Sequence, residues 1–196
     1  MFLNQYFTNN DQLKSEKRVI RFNYGSNCFE FISDNGVFSK DKIDFGSITL
    51  LDTYLKNKKD IHNFLDVGCG YGFLSIVLAK ELNISGVGVD VNLRALDLAK
   101  SNASLNQVSV SFKESNIYEN IEGKFDLIIT NPPIRAGKKT VLGILLDAKK
   151  HLNTNGELWG VIRKDQGAKS IIKMLLDTYQ VEIKEKNKIF FCFFTC

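Results

Sequence analysis

The sequence predicts an α/β fold organised around a largely parallel β-sheet, and three observations carry this prediction. From residue 61 onward, short apolar runs typical of buried strands alternate with segments of helical periodicity. A glycine-rich segment at residues 66–72 joins the first of these strands to the helix that follows it. The last two strands are separated only by a hairpin-length turn, so they must be antiparallel neighbours, because a parallel pair needs a longer crossover.

The elements follow one another in a regular order. The predicted strands of the α/β series cover residues 61–67, 85–91, 108–112, 125–130, 156–162, 181–186 and 189–194. The predicted helices cover residues 46–55, 73–82, 93–105 (with Asn92 as the N-cap), 139–152 and 166–176. Ahead of the series, short strands are predicted at residues 18–24, 28–33 and 37–39, with turns at residues 25–27 and 34–36.

Length and composition predict one compact domain at residues 1–196, with a β-rich extension (residues 1–45) on an α/β core (residues 46–196). Hydrophobic residues make up 44% and charged residues 24%, which is ordinary for a globular protein. No apolar run predicts a membrane span, and the N-terminus does not resemble a signal peptide. The cysteines, Cys28, Cys69, Cys192 and Cys196, have no paired spacing, which predicts free thiols in the cytoplasm and no metal site.

The glycine-rich segment indicates a ligand that carries no phosphate. A dinucleotide fingerprint needs a glycine where this chain has Phe73. The pattern is instead D-x-G-x-G-x-G, formed by Asp66, Gly68, Gly70 and Gly72, with Cys69 between the first two glycines. The glycines allow a tight turn and close approach of a ligand to the backbone. The acid before the turn favours a cationic ligand over a pyrophosphate.

This strand–loop–helix segment resembles that of the class I S-adenosylmethionine-dependent methyltransferases, whose cofactor carries an amino group and a sulfonium. The resemblance implies a Rossmann-like seven-stranded sheet with helices on both faces and the last strand antiparallel. Asp90 ends the second strand, where a carboxylate can accept both hydroxyls of a ribose. Val91 and Asn92 would then flank the adenine. Asn116 follows the third strand, where related enzymes often place an Asp against the adenine amino group.

A second motif, Asn131-Pro132-Pro133-Ile134, follows the fourth strand. Two prolines stiffen the chain and remove two N–H donors, while their carbonyl oxygens stay available as acceptors. The side-chain carbonyl of Asn131 and the backbone carbonyl of Pro132 can together accept both hydrogens of an exocyclic amine. This arrangement turns the nitrogen lone pair toward an electrophile, so the motif predicts methyl transfer to a planar nitrogen.

Five cations follow the ends of the fourth and fifth strands and are predicted to contact an RNA backbone: Arg135, Lys138, Lys139, Arg163 and Lys164. The net charge of +4 is compatible with an RNA partner. In adenine- and glutamine-specific enzymes the fourth motif position is usually aromatic and stacks on the target. Here it is Ile134, and Phe38 is a candidate for the stacking surface that Ile134 does not provide.

The whole pattern is similar to the bacterial guanine-N2 methyltransferases of small-subunit ribosomal RNA and to small single-domain relatives of them. The likeness runs from about residue 18 to the C-terminus and includes Gly36-Val37-Phe38-Ser39 and Asp44-Phe45-Gly46-Ser47. It implies S-adenosylmethionine as cofactor and RNA, or a small-subunit particle, as partner. Two alternatives remain open: methylation of another planar nitrogen (adenine N6 or a protein glutamine), and a catalytically silent RNA-binding module. A dinucleotide oxidoreductase shares the fold class, but Phe73 and the second motif argue against it.

Overall fold

The computed structural model describes residues 13–195, so the predictions for the first residues of the chain and for Cys196 lie outside the described part. It begins with a hairpin of two antiparallel strands, β1 (Arg18–Tyr24) and β2 (Asn27–Ser33). The hairpin forms a sheet of its own, separate from the main sheet. Both strands have the predicted limits to within one residue.

The main sheet has seven strands in the order β5-β4-β3-β6-β7-β9-β8. Its strands are β3 (Phe64–Val67), β4 (Gly86–Asp90), β5 (Val110–Glu114), β6 (Phe125–Thr130), β7 (Leu152–Arg163), β8 (Val181–Lys186) and β9 (Phe190–Thr195). The first five are parallel, and β9 is antiparallel to both β7 and β8. The predicted seven-stranded sheet with an antiparallel last strand is therefore confirmed. The strand order reverses between β3 and β6, and the crevice above that point is where open α/β sheets bind ligands.

Helices cover both faces of the sheet, as predicted. They are α1 (Phe45–Asn57), α2 (Phe73–Leu82), α3 (Leu93–Leu105), α4 (Lys138–Asp147) and α5 (Ala168–Leu175). One hydrophobic core joins α1, α2, α3 and the hairpin to one face of the sheet. A second core joins α4 and α5 to the other face. No helix within residues 13–195 is long and apolar enough to cross a membrane.

The prediction of a third N-terminal strand at residues 37–39 is wrong. These residues lie in a turn-rich loop between β2 and α1. Gly36 and Ser39 have positive φ angles of 82° and 52°, which a strand does not allow. Ser33 Oγ donates to the carbonyl of Lys40 and closes the loop on itself. The loop carries Phe38 toward the crevice instead of extending the hairpin.

Two asparagines, one in the last turns of α3 and one at its C-cap, hold the hairpin against the core. Asn102 accepts from the backbone N–H of Ile32 (2.7 Å) and donates to its carbonyl (3.0 Å). Asn106 makes the same pair of bonds to Glu30, at 3.1 and 2.8 Å. Asn102 also donates to the carbonyl of Tyr71 in the glycine loop (2.9 Å). The helix thus satisfies alternate backbone groups of β2 in the way that a neighbouring strand would.

Candidate active site

A cavity of about 310 Å³ opens at the carboxyl ends of β3, β4 and β6. It brings together most of the residues singled out in the sequence, although they come from five separate segments. Its walls include Phe38, Ser39, Asp44, Ser47, Asp66, Val67, Gly68, Cys69, Gly70, Tyr71, Asp90, Val91, Ser115, Asn116, Asn131, Pro132 and Pro133. Ile134, Gly72, Asn92 and the five cations do not line it.

The glycine loop is folded tightly around the end of β4. The N–H groups of Gly68 and Cys69 both donate to the carbonyl of Val89, at 2.8 and 3.0 Å. Gly70 has a φ of 55°, and no atom lies within 4 Å of the position that a Cβ would occupy there. Gly72 has a φ of 91°, and a Cβ there would crowd the side chains of α2, α3 and β5. Gly70 therefore leaves space in the cavity, whereas Gly72 serves the packing beneath it.

Asp66 is a buried carboxylate with one oxygen available to a ligand. Oδ2 accepts a 2.6 Å hydrogen bond from Ser75 Oγ, but Oδ1 finds no donor within residues 13–195. Burial raises the pKa of Asp66 to about 7, and the nearby Asp90 carboxylate adds to this increase, while the bonds from Ser75 oppose it. A cationic ligand that enters the cavity would stabilise the charged form of this carboxylate.

Asp90 is held rigidly at the end of β4. Its Oδ2 accepts from the N–H of Gly70 at 2.8 Å, and its Oδ1 accepts from the N–H of Asn92 at 2.9 Å. Each oxygen retains acceptor capacity for a hydroxyl. Burial raises the pKa of Asp90, and the backbone donors limit that increase. Burial likewise raises the pKa of the Cys69 thiol well above its usual range, with a further contribution from Asp90.

The two residues after Asp90 have different surroundings. Val91 lines the cavity. Asn92 is buried; its Oδ1 caps α3 by accepting from Ala95 N at 3.1 Å, and its Nδ2 donates to the Gly36 carbonyl. The predicted N-cap is confirmed, but the side chain of Asn92 is committed to the helix and the Gly36 loop. Asn116 lines the cavity, and its Nδ2 donates to Glu119 at 2.8 Å.

The Asn131-Pro132-Pro133 segment forms another part of the cavity wall. Asn131 Nδ2 donates two hydrogen bonds of 2.9 Å, one to Asp44 Oδ2 and one to Ser47 Oγ. Both of its N–H groups are therefore engaged, and Oδ1 remains as the acceptor at the other corner of the amide. Ile134 begins a 3₁₀ turn and packs against the second hydrophobic core. Phe38 lines the cavity and is 37% exposed.

The cations predicted to contact RNA fall into two groups. Arg135 and Lys139 are exposed after β6, as is Lys138, which donates to Ser170 Oγ at 3.2 Å. Arg163 is held by Asp165 in a bidentate pair, at 3.0 and 2.7 Å. Lys164 donates to the Asn187 carbonyl and lies over the Phe191 ring at 5.2 Å. The first group presents its charge to solvent more fully.

Three functional candidates were missed by sequence reasoning: Asp44, Ser47 and Ser75. The segment Asp44-Phe45-Gly46-Ser47 is part of the likeness to the guanine-N2 methyltransferases, but that likeness predicts no role for its side chains. Its signal is the N-cap pattern, because Asp44 Oδ2 accepts from Ser47 N at 2.9 Å. Within residues 13–195, no group of three or more His, Cys, Asp or Glu side chains could hold a metal ion.

Comparisons with known proteins agree with this geometry. The family model described as methyltransferase small domain matches residues 28–191. A protein of Bacillus subtilis (strain 168), the uncharacterized protein YbxB, is 39% identical over 188 residues, which is 93% of each chain. Ribosomal RNA small subunit methyltransferase C of Erwinia tasmaniensis is 41% identical over 128 residues, 63% of this chain and 37% of that protein. The chain thus spans about a third of the length of that relative.

The fold also has close solved counterparts. The T. thermophilus 16S rRNA N2 G1207 methyltransferase, solved in complex with AdoMet and guanosine, superposes with a TM-score of 0.81. It is 22% identical, and the match covers 93% of this chain and 51% of that chain. A ribosomal protein L11 methylase from Lactobacillus delbrueckii superposes with a TM-score of 0.66 at 23% identity, covering 79% of this chain and 84% of that one. At these identities the likeness shows a shared fold.

Proposed function

Because the chain belongs to the methyltransferase small domain family and is an S-adenosylmethionine-dependent methyltransferase, we propose that it methylates the exocyclic N2 amine of a guanine in small-subunit ribosomal RNA. The observation that carries the proposal is the Asn131 amide, whose nitrogen is bound by Asp44 and Ser47 so that its oxygen is left to accept. Asn131 and Pro132 both line the cavity.

The cavity suits the cofactor. Asp66 Oδ1, which has no donor among residues 13–195, is an acceptor for the ammonium group of S-adenosylmethionine, and the open space above Gly70 admits a ligand against the backbone. The two oxygens of Asp90 can accept from the two ribose hydroxyls, while Val91 and Asn116 border the adenine. When bound, the cofactor supplies an electrophilic methyl group on a sulfonium.

Asn131 and Pro132 act on the amine that is methylated. Asn131 Oδ1 and the Pro132 carbonyl accept the two hydrogens of the planar nitrogen and turn its lone pair out of conjugation with the base. Fixed acceptors of this kind lower the barrier because they need no reorganisation as charge develops. The amine loses its proton after methylation, so no strong base is required.

The substrate class is supported by the relatives and by charge. The relative from Erwinia is a small-subunit ribosomal RNA methyltransferase, and the structural counterpart from T. thermophilus is solved with guanosine. Exposed Arg135, Lys138 and Lys139 directly follow the amine-binding segment, where phosphates of a bound strand would lie. A ribosomal substrate would place the enzyme in the cytoplasm.

Methyl transfer from labelled S-adenosylmethionine to total RNA and to total protein tests the proposal. Small-subunit particles and protein-free ribosomal RNA are used as separate substrates, followed by nucleoside analysis. The expected product is N2-methylguanosine. Label in N6-methyladenosine or in protein glutamine would identify another planar nitrogen as the target. An absence of transfer despite measured cofactor binding would overturn the proposal and favour a silent module.

A further inference from the structure

We propose that Asp44 is a positioning residue for methyl transfer, because its carboxylate dictates which end of the Asn131 amide faces the cavity. The inference rests on the proposed function of Asn131 and deepens it. Asp44 and Asn131 are 87 positions apart, and α1 brings them together at the mouth of the cavity. Ser47, one turn into the same helix, completes the group.

The hydrogen bonds leave the amide only one orientation. A carboxylate accepts and cannot donate, so the group that faces Asp44 Oδ2 at 2.9 Å must be the NH₂ of Asn131. The second N–H of this NH₂ is engaged by Ser47 Oγ at 2.9 Å. A flipped amide would set its carbonyl oxygen against the carboxylate with no proton between them. It would also present NH₂, a donor, to an amine that needs an acceptor.

Asp44 is itself fixed by the start of α1. Its Oδ2 accepts from the N–H of Ser47 at 2.9 Å, so a single oxygen caps the helix and binds Asn131. Gly46 makes this arrangement possible. A Cβ at Gly46 would lie 2.9 Å from Asp44 Oδ2 and 3.0 Å from the Phe190 ring. In this segment Asp44 and Ser47 supply the two oxygens that accept from Asn131, and Gly46 leaves the space that the Asp44 side chain needs.

The substitution Asp44→Asn separates positioning from folding. Asn caps helices about as well as Asp, so α1 should be retained. The amide oxygen that keeps the cap carries no full charge, so it holds the NH₂ of Asn131 less strongly and penalises the flipped orientation much less. We expect the single-turnover rate to fall about tenfold or more, with S-adenosylhomocysteine affinity unchanged. Asp97→Asn, at an exposed acid on α3, is the charge-matched control and should leave the rate unchanged.

A double-mutant cycle asks whether Asp44 acts through Asn131. If it does, Asp44→Asn lowers the rate in the wild-type background but has little further effect in the Asn131→Ala background. An equal loss in both backgrounds, or a wild-type rate in the single variant, overturns the proposal. The cycle is run on whichever acceptor takes the label, so a protein substrate would refute the guanine assignment without removing this test.

A measurement without turnover complements the cycle. In ¹⁵N spectra, the side-chain NH₂ signals of Asn131 are assigned by their loss in Asn131→Ala. Both protons are hydrogen-bonded in the wild type, so their exchange with water should accelerate at least about tenfold in Asp44→Asn. Unchanged exchange would show that the carboxylate does not hold the amide and would overturn the proposal even if no acceptor were labelled.

Discussion

Ser75 donates a 2.6 Å hydrogen bond to Oδ2 of Asp66, while Oδ1 of the same buried carboxylate has no donor within residues 13–195. The carboxylate is thus half satisfied, and its negative charge stands beside that of Asp90. Burial of an incompletely paired charge costs stability, and the site tolerates that cost because a cationic ligand can offset it. If Asp66 binds the ammonium group of the cofactor as proposed, the affinity for the cofactor and the stability of the ligand-free protein oppose each other at this residue.

The first prediction concerns Asp66→Asn in the ligand-free protein. The folded-state pKa of Asp66 is raised to about 7, so between its unfolded value and 7 the native state binds the proton more tightly. The contribution of Asp66 to the free energy of unfolding of the wild type is fully present below the unfolded-state pKa. It is lost as the pH rises from that value to about 7. Relative to wild type, the variant should gain on the order of 2–3 kcal/mol of unfolding free energy between pH 5 and pH 8.

Denaturant unfolding of both proteins at the two pH values measures this difference. Asp90 is present in both proteins, so the pH dependence due to its own burial cancels, and only its coupling to the Asp66 charge remains in the difference. A difference that does not change with pH would contradict a raised pKa at Asp66. The same substitution should weaken cofactor binding, because the acceptor for the ammonium group loses its charge.

The second prediction is that Asp90→Ala weakens cofactor binding about tenfold or more. The substitution removes charge-assisted acceptors, each worth about 1.5–3 kcal/mol. It also releases the N–H of Gly70 and so loosens the glycine loop. Isothermal titration with S-adenosylhomocysteine gives the affinity, and Asp97→Ala on the exposed side of α3 is the control. Wild-type affinity in a folded Asp90→Ala variant would remove Asp90 from the ribose site.

The third prediction separates binding from chemistry at Asn131. Asn131→Ala leaves Asp66, Asp90 and the glycine loop in place, so cofactor affinity should stay near wild type. The single-turnover rate should fall by about 10²–10³, because an oriented acceptor for the amine is lost. Asn57→Ala, at the far end of α1, serves as the control. Collapse of cofactor binding in the Asn131 variant would assign that side chain to the cofactor pocket instead.

The fourth prediction concerns the exposed cations after β6. If Arg135 and Lys139 contact phosphates, RNA affinity should fall steeply with salt, and each alanine variant should reduce the slope of log K against log salt by roughly one or slightly less. Lys56→Ala, at the opposite end of α1 from Asp44, should leave the slope unchanged. Filter binding or fluorescence anisotropy across a salt series measures it. A salt-insensitive complex would exclude this surface as the RNA contact.

Local chemistry made part of the site predictable. Three segments could be recognised from adjacent residues alone: the glycines of residues 68–72, Asp90 at a strand end, and Asn131-Pro132-Pro133. All three segments contribute to one cavity. Parallel strands bring such segments to the same edge of a sheet, so their convergence followed once the strand–helix alternation was recognised.

The rest depended on contacts between distant segments. The cap pattern of Asp44 can be recognised from adjacent residues, but only the packing of α1 reveals that the capping oxygen also accepts from Asn131. Residues 37–39 have a strand-like composition, but the positive φ angles of Gly36 and Ser39 turn the chain. Asn92 suits both a helix cap and an adenine contact; the cap is confirmed, and the adenine contact stays a prediction.

The three hydrogen bonds of the Asn102 side chain give the N-terminal hairpin a structural role at the cavity. One buried amide grips the edge of β2 at Ile32 and the carbonyl of Tyr71 in the glycine loop. The hairpin cannot be pulled away without stranding a buried polar group directly beneath the cofactor cavity. The sequence predicts this hairpin as an extension of the α/β core. Through Asn102 it also supports the conformation of the glycine loop. Engineering that deletes the hairpin to obtain a smaller enzyme should therefore damage the cavity itself.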